Sequence, residues 1–328
     1  MAVVARIVLG ALIGLTLARP AAAETAVRYG QIPSTLRSVS AIHLFVAERE
    51  GLFRREGLAV ERVPIEGGTD KMVAALEAGT VDIAQTATPY LIAAVLKGAD
   101  AVAIAGETKN PIYSLIAKPE IAKVADLKGK VVGLSLAVDT ISISTRKLMA
   151  LHGLGDGDFR VKELVGTPAR FDCLKTGPCD AVPLGQPEDF TAVDAGYRRL
   201  GVTTDAVPSF QFQVTAVRRP WAASHADTVV RFLRALAASF RFIHDPANRD
   251  TLVRIVVEGT GTNEATARKI LALYLDPDRG VLPRAAEIDM TGLATVIAFL
   301  GAGGTVPTPL PPPERFVDLD YLHRAGID

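Results

Sequence analysis

Apolar residues occur along this chain in short alternating runs, then at three-to-four-residue spacing, and the switch between the two repeats. Residues 26–32 alternate as a strand, and 41–50 put Ile42, Phe45 and Val46 on one face of a helix. Gly51 and Gly57 stand where a helix must end in a left-handed turn. Residues 59–64 alternate again, and Gly67-Gly68-Thr69-Asp70 opens a second helix that ends near Gly79. Residues 81–86 and 101–106 read as further strands, separated by a helix starting at Pro89. This β-α-β-α-β rhythm predicts an α/β fold with a largely parallel, doubly wound sheet and helices on both faces.

A second block begins near Tyr113. The turn Asp126-Leu127-Lys128-Gly129-Lys130 leads into a strand over 131–136 and a helix over 140–152. A strand over 160–165 and a helix from Pro168 follow; proline suits the first helical turn, where its missing N–H is not needed. Residues 180–184 form another short strand, and 211–218 read as a strand returning to the first block. Ser224 and Asp227 form an S-x-x-D capping pair ahead of a strong helix. On that helix Val229, Leu233, Leu236, Phe240 and Ile243 fall on one stripe. Helices over 263–274 and 288–302 precede a Pro-rich strap at 307–313, which the apolar segment 316–325 follows. The pattern predicts two lobes: 24–112 plus 213–328 as lobe I, and 113–212 as lobe II.

Composition narrows what such a molecule does. With 36 basic against 36 acidic residues among 328 and no basic block, electrostatic nucleic-acid binding is excluded as the main role. At the N-terminus Arg6 precedes an apolar run over 7–18, Arg19-Pro20 breaks it, and Ala21-Ala22-Ala23 offers small residues before Glu24. That is the pattern of a cleaved secretory signal over 1–23. The run is too short to span a bilayer, which takes about 20 residues, and no cysteine follows to carry a lipid. Cleavage removes Arg6 and Arg19 and leaves a formal charge of −2. The expected location is the periplasm, in soluble form. Cys173 and Cys179 flank a Gly-Pro turn and, in an oxidising compartment, read as one local disulfide worth roughly 2 kcal/mol. The alternative is two independent thiols.

The sequence holds no catalytic constellation. The five histidines (His43, His152, His225, His244, His323) share no metal-pair spacing, and each reads as exposed or at a helix end. Ser144-Thr145-Arg146-Lys147 fits S-x-x-K, but its companion S-D-N and K-T-G elements are missing. Gly301-Ala302-Gly303-Gly304 follows a helix where a dinucleotide fingerprint would open one. No metal or cofactor is expected.

A binding site reads better. In an open α/β sheet, ligands lie beyond the carboxyl ends of the strands, where helices begin. Small donors gather at those positions: Ser38 and Ser40; Gly68 and Thr69; Thr86 and Thr88; Ser135, Thr140 and Ser142. Helix N-termini there favour an anionic group, although each such residue is also an ordinary helix cap. Arg37, Lys109 and Arg170 offer balancing charge. Asp139 reads as a cap or as a carboxylate for an amine or ring N–H. Gln186, Gln211 and Gln213 are neutral hydrogen-bonding candidates, and Tyr90, Tyr113, Phe190 and Phe210 offer apolar walls.

Three ordered motifs then carry a resemblance: Gly51-Leu52-Phe53-Arg54-Arg55-Glu56-Gly57-Leu58-Ala59-Val60, Ala78-Gly79-Thr80-Val81-Asp82, and Asp126-Leu127-Lys128-Gly129-Lys130-Val131-Val132-Gly133. With the ending Val317-Asp318-Leu319-Asp320-Tyr321-Leu322, the chain resembles ABC-transporter solute-binding proteins of the nitrate/sulfonate/taurine type, which include binders of thiamine-precursor pyrimidines. The resemblance implies a type II periplasmic binding fold, with two lobes joined by a two-strand hinge. It implies a monomer without enzymatic activity that captures a small organic solute, anionic in character, by hinge closure and presents it to an inner-membrane ABC permease. The cleft loops would be those at 37–41, 67–70, 86–89, 135–140 and 184–187. Where many relatives have a Gly/Ser-rich turn, this chain reads Ala137-Val138-Asp139-Thr140, which argues against a simple inorganic anion. The rival expectations are an enzyme on the same scaffold, such as a pyrimidine synthase or small lyase, and a periplasmic sensor.

Overall fold

The return of the chain after residue 212 decides the architecture. The computed structural model describes residues 23–207 and 209–327, so the expected leader, but for Ala23, lies outside the described residues. The strands are β1 Thr25–Gln31, β2 Leu58–Pro64, β3 Ile83–Ala87, β4 Ala101–Thr108, β5 Ser114–Ala117, β6 Val131–Leu134, β7 Arg160–Glu163, β8 Ala181–Leu184, β9 Arg198–Val202 and β10 Gln213–Arg218. They form two five-stranded sheets, ordered β2-β1-β3-β10-β4 and β7-β6-β8-β5-β9. The chain leaves the first sheet after β4, builds the second, and re-enters the first as β10.

Both sheets are mixed, which corrects the expectation of largely parallel pairing. β1 runs parallel to β2 and β3, but β10 lies antiparallel between β3 and β4. In the second sheet β6 is parallel to β7 and β8, while β5 is antiparallel to β8 and β9. The chain enters each sheet at these strands from the other sheet and without a helical crossover, so it arrives running the opposite way. The two crossings are tied together near β5: Thr203 N–H donates to the Tyr113 carbonyl at 2.9 Å and the Thr203 hydroxyl to that of Pro111 at 2.6 Å.

Apolar layers cover both faces of the first sheet. On one face the helices Ile42–Arg49, Ala226–His244, Arg249–Thr260 and Glu264–Tyr274 bury Leu44, Phe232, Leu236, Val256 and Ile270. On the other, Met72–Glu77, Thr88–Leu96 and Met290–Ala302 bury Leu76, Leu91 and Ile297. The predicted stripe Val229, Leu233, Leu236, Phe240, Ile243 is buried throughout. Its cap is not the predicted one. Ser224 instead closes the short helix Arg219–Ser224, its hydroxyl donating to the Pro220 and Trp221 carbonyls, and Asp227 pairs with Arg231. Pro220 starts a helix one turn earlier, which leaves Ser224 at a C-terminus, where a cap for N–H groups has nothing to accept. Gly51 and Gly57 do take positive φ, at 63° and 68°. The 307–313 strap delivers Phe316 to the core and Asp318 N–H to the Ala103 carbonyl of β4. Cys173 and Cys179 are joined as a disulfide beside β8, with Cα atoms 5.3 Å apart. Among the described residues no helix is long and apolar enough to cross a membrane.

Candidate functional site

The loops that follow β1, β2, β6, β7 and β8 meet between the two sheets, at the carboxyl ends of those strands. They enclose a cavity of about 70 Å³, floored by Tyr113, Phe212 and Gln213 from the crossings. The lobes touch around it. A Cβ on Gly68 would lie 3.5 Å from Leu136 and 3.6 Å from Val165, and one on Gly166 would lie 3.3 Å from Ser34.

Ten of the residues singled out from sequence line this cavity: Arg37, Ser38, Ser40, Gly68, Thr69, Tyr113, Ser135, Asp139, Arg170 and Gln213. Ser38 accepts from Ser40 N–H at 3.3 Å and from the Ser40 hydroxyl at 3.1 Å. Asp139 caps the helix Thr140–Leu151 through Ile141 N–H at 2.9 Å and also accepts the Ser135 hydroxyl at 2.8 Å. Burial raises its pKa above the ordinary aspartate value, against the opposing pull of those hydrogen bonds. Both readings of Asp139 therefore stand on one carboxylate: it caps, and it faces the cavity.

Four others sit in the expected loops but do not line the cavity. The Thr86 hydroxyl donates to the Thr69 carbonyl at 3.1 Å and that of Thr88 to the Gln211 carbonyl at 2.5 Å. Thr140 is buried in the first turn of its helix, and Gln186 is engaged by Asp189 and Tyr274. Lys109 pairs with Glu287 at 3.0 Å.

Arg170 is the charged group that the cavity is built around. Its side chain enters from the helix Thr167–Thr176, and the residue is 1% exposed. Its Nε donates to the Pro183 carbonyl at 2.8 Å, Nη1 to the Leu164 carbonyl at 3.2 Å and Nη2 to the Thr167 hydroxyl at 3.1 Å. Three of the five guanidinium N–H donors are thus directed at neutral oxygens, leaving two. Among the described residues no carboxylate lies within 4 Å of it, and its Cζ sits 5.7 Å from the Tyr113 ring centre. Burial lowers its pKa from the ordinary arginine value, partly offset by Tyr113, Asp139 and Glu188. Sequence reading had it only as one of three balancing charges. Ser34, Thr35, Thr167, Phe212 and Glu188 also line the cavity and were not singled out; Thr167 and Glu188 follow strands by the same rule that located Ser135.

Elsewhere the structure places two further features of the sequence. His43 does lie in the first turn of the helix Ile42–Arg49, but it is fully buried, stacked on Phe240 at 5.1 Å with Nε2 3.2 Å from Glu107. Ser144 donates back to the Ile141 carbonyl at 3.1 Å while Lys147 lies over the Phe299 ring, so S-x-x-K forms no nucleophile–base pair. No group of three or more metal-ligating side chains occurs among the described residues.

The NMT1/THI5 like family model matches residues 39–248, well over half of the sequence. The chain belongs to that family. No curated protein matches the sequence. Several solved structures share the fold. The ligand-binding component of an ABC-type import system from Staphylococcus aureus, solved with zinc bound, superposes with a TM-score of 0.76 at 15% identity, covering 92% of this chain and 99% of that one. For the periplasmic aliphatic sulphonate binding protein SsuA from Escherichia coli the values are 0.67, 19%, 92% and 99%. For the periplasmic nitrate-binding protein NrtA from Synechocystis PCC 6803 they are 0.73, 16%, 92% and 88%. The desulfurization enzyme DSZB has the same fold, with a TM-score of 0.63 at 14% identity. This NMT1/THI5 like chain therefore has the α/β fold of periplasmic binding proteins, two lobes with a cleft between them.

Proposed function

We propose that this chain is the exported, non-enzymatic substrate-binding component of an ABC importer, taking a small organic anion into its cleft. Lobe I would comprise 24–112 plus 213–328 and lobe II 113–212, hinged at the paired crossings, with closure stabilised by a ligand that bridges them. The observation that carries this reading is Arg170, a buried cation lining the cavity with two N–H donors to spare and no carboxylate within reach. A guanidinium presents such donors as a fork that fits carboxylate, sulfonate or phosphate oxygens. The hydroxyls of Ser34, Ser38, Ser40, Thr69, Ser135 and Thr167 would supply further donors without charge. Ile32, Leu136, Ile141 and Val165 would hold an apolar portion of the solute, and Asp139 would meet a donor on it. The bound form would act as a periplasmic monomer, docking on a membrane permease.

Titration with a panel of sulfonates, carboxylates and anionic heterocycles, followed by thermal melting, tests this. The right solute at a hundred-fold excess over its Kd adds about 2.7 kcal/mol to stability, a rise of several degrees in Tm. If the whole panel left the melting curve unmoved, or if a solute were chemically converted, the proposal would fail.

A further inference from the structure

Away from the crossings, one buried side-chain hydrogen bond among the described residues runs from one lobe to the other. The Tyr274 hydroxyl donates to Gln186 Oε1 at 3.2 Å, with the two residues 4% and 2% exposed. Tyr274 ends the helix Glu264–Tyr274, which packs against the first sheet, and Gln186 lies in the loop after β8 of the second. Gln186 is itself held. Its amide donates to Asp189 Oδ2 at 3.1 Å, and that buried carboxylate also takes the Ser114 hydroxyl at 2.7 Å, Arg199 Nη2 at 3.1 Å and Phe190 N–H at 2.7 Å. Between the two anchored residues lies Glu188, which lines the cavity. One short loop of lobe II thus presents a cavity wall and a docking point for lobe I.

We infer that Tyr274 is a positioning residue for solute capture, its hydrogen bond to Gln186 drawing the lobes together before any solute arrives. A bond of this kind, broken and rehydrated on opening, shifts a two-state equilibrium by roughly five-fold. The apparent affinity then rises with the fraction of molecules already closed, without Tyr274 touching the solute. The inference rests on the hinge-closure reading, so its test must separate the two.

Spin labels at Glu61→Cys and Arg160→Cys, both exposed and on opposite lobes, report the interlobe distance in the ligand-free, disulfide-intact chain. The parent should show a closed population beside an open one. Tyr274→Phe and Gln186→Met should each lower the closed-to-open ratio about five-fold, and the double variant no further than either alone. Should Gln186→Met not fold, judged by its melting curve, Tyr274→Phe decides alone. Two populations with an unchanged ratio in Tyr274→Phe, or a parent with no closed population, would overturn the role of Tyr274. A single distance, the same in every variant and unmoved by the whole solute panel, would overturn hinge closure itself.

Discussion

Two buried charges in this molecule have been treated in opposite ways. Glu107, on β4 in lobe I, is fully buried and receives the Tyr29 hydroxyl, the Gln85 amide and the Thr215 hydroxyl at 2.6 Å, with His43 Nε2 3.2 Å away. Arg170, in lobe II, is buried to nearly the same degree but finds only neutral oxygens, and it lines the cleft. Removing an ion from water is tolerable only when the interior replaces its solvation. For Glu107 the replacement is complete, so the network belongs to the fold. For Arg170 it is incomplete, and under the proposed function the solute would complete it.

The largest expected effect tests the first half of that contrast. Glu107→Ala strands Tyr29, Gln85, Thr215 and His43 in the core, and breaking a buried ionic network from one side destabilises by about 3–5 kcal/mol. Urea denaturation should show it as a clear drop in the midpoint. The pH dependence has a fixed sign. Burial pushes the Glu107 carboxyl up, but hydrogen bonds from His43, Thr215 and Tyr29 prevail and hold it below the ordinary glutamate value. A depressed folded-state pKa gives stability that is present above the unfolded value and lost as pH falls through the folded one. That acid-limb loss, below roughly pH 4.5, should be missing from Glu107→Ala. An unshifted midpoint would make the cluster incidental.

Legibility in the sequence follows the same divide between local and assembled features. The stripe from Val229 to Ile243 could be read because one buried helical face imposes its own period. The positions of Ser38, Gly68, Ser135 and Asp139 could be read because strand ends in an α/β sheet point to one edge. β5 and β9 were not read, and no local pattern records that β10 inserts antiparallel between β3 and β4. Arg170 was visible only as a nearby charge, because its importance comes from the Leu164 and Pro183 carbonyls, which only the tertiary fold brings to it. The burial of His43 was not visible for the same reason: Glu107 beside it is 64 residues away. Thr86, Thr88 and Gln186 lie in the right loops, but which way a hydroxyl or amide turns depends on acceptors elsewhere in the chain.

A middle-sized effect tests the second half of the contrast. Arg170→Met keeps most of the side-chain volume but orphans the Pro183 and Leu164 carbonyls, a loss of about 1–3 kcal/mol in stability, less than for Glu107→Ala. Affinity should fall further than stability does. Losing a buried, charge-assisted contact to an anion removes 2 kcal/mol or more of binding, about thirty-fold or greater. Calorimetric titration with whichever solute raises the Tm of the parent reads this directly. Retention of full affinity by Arg170→Met would move the anion site off Arg170 and dissolve the contrast with Glu107.

Asp139 lies between these extremes, and the effect expected of it is the smallest. Its carboxylate is partly satisfied, by Ile141 N–H and the Ser135 hydroxyl, and partly faces the cavity. Burial outweighs those two hydrogen bonds and raises its pKa above the ordinary value. A raised folded-state pKa in a carboxyl group means the folded protein holds the proton more tightly than the unfolded chain. The associated stability is present at low pH and lost as pH rises through the folded value. Asn is as good an N-cap as Asp, and its amide can donate to Ser135, whose hydroxyl is free to turn. Asp139→Asn should therefore melt with the parent near pH 4 and above it at neutral pH, in the absence of solute. A variant less stable than the parent by the same margin at every pH would mean that the carboxylate serves the helix alone and is fully solvated by it, which would place Asp139 with Glu107 instead of with Arg170.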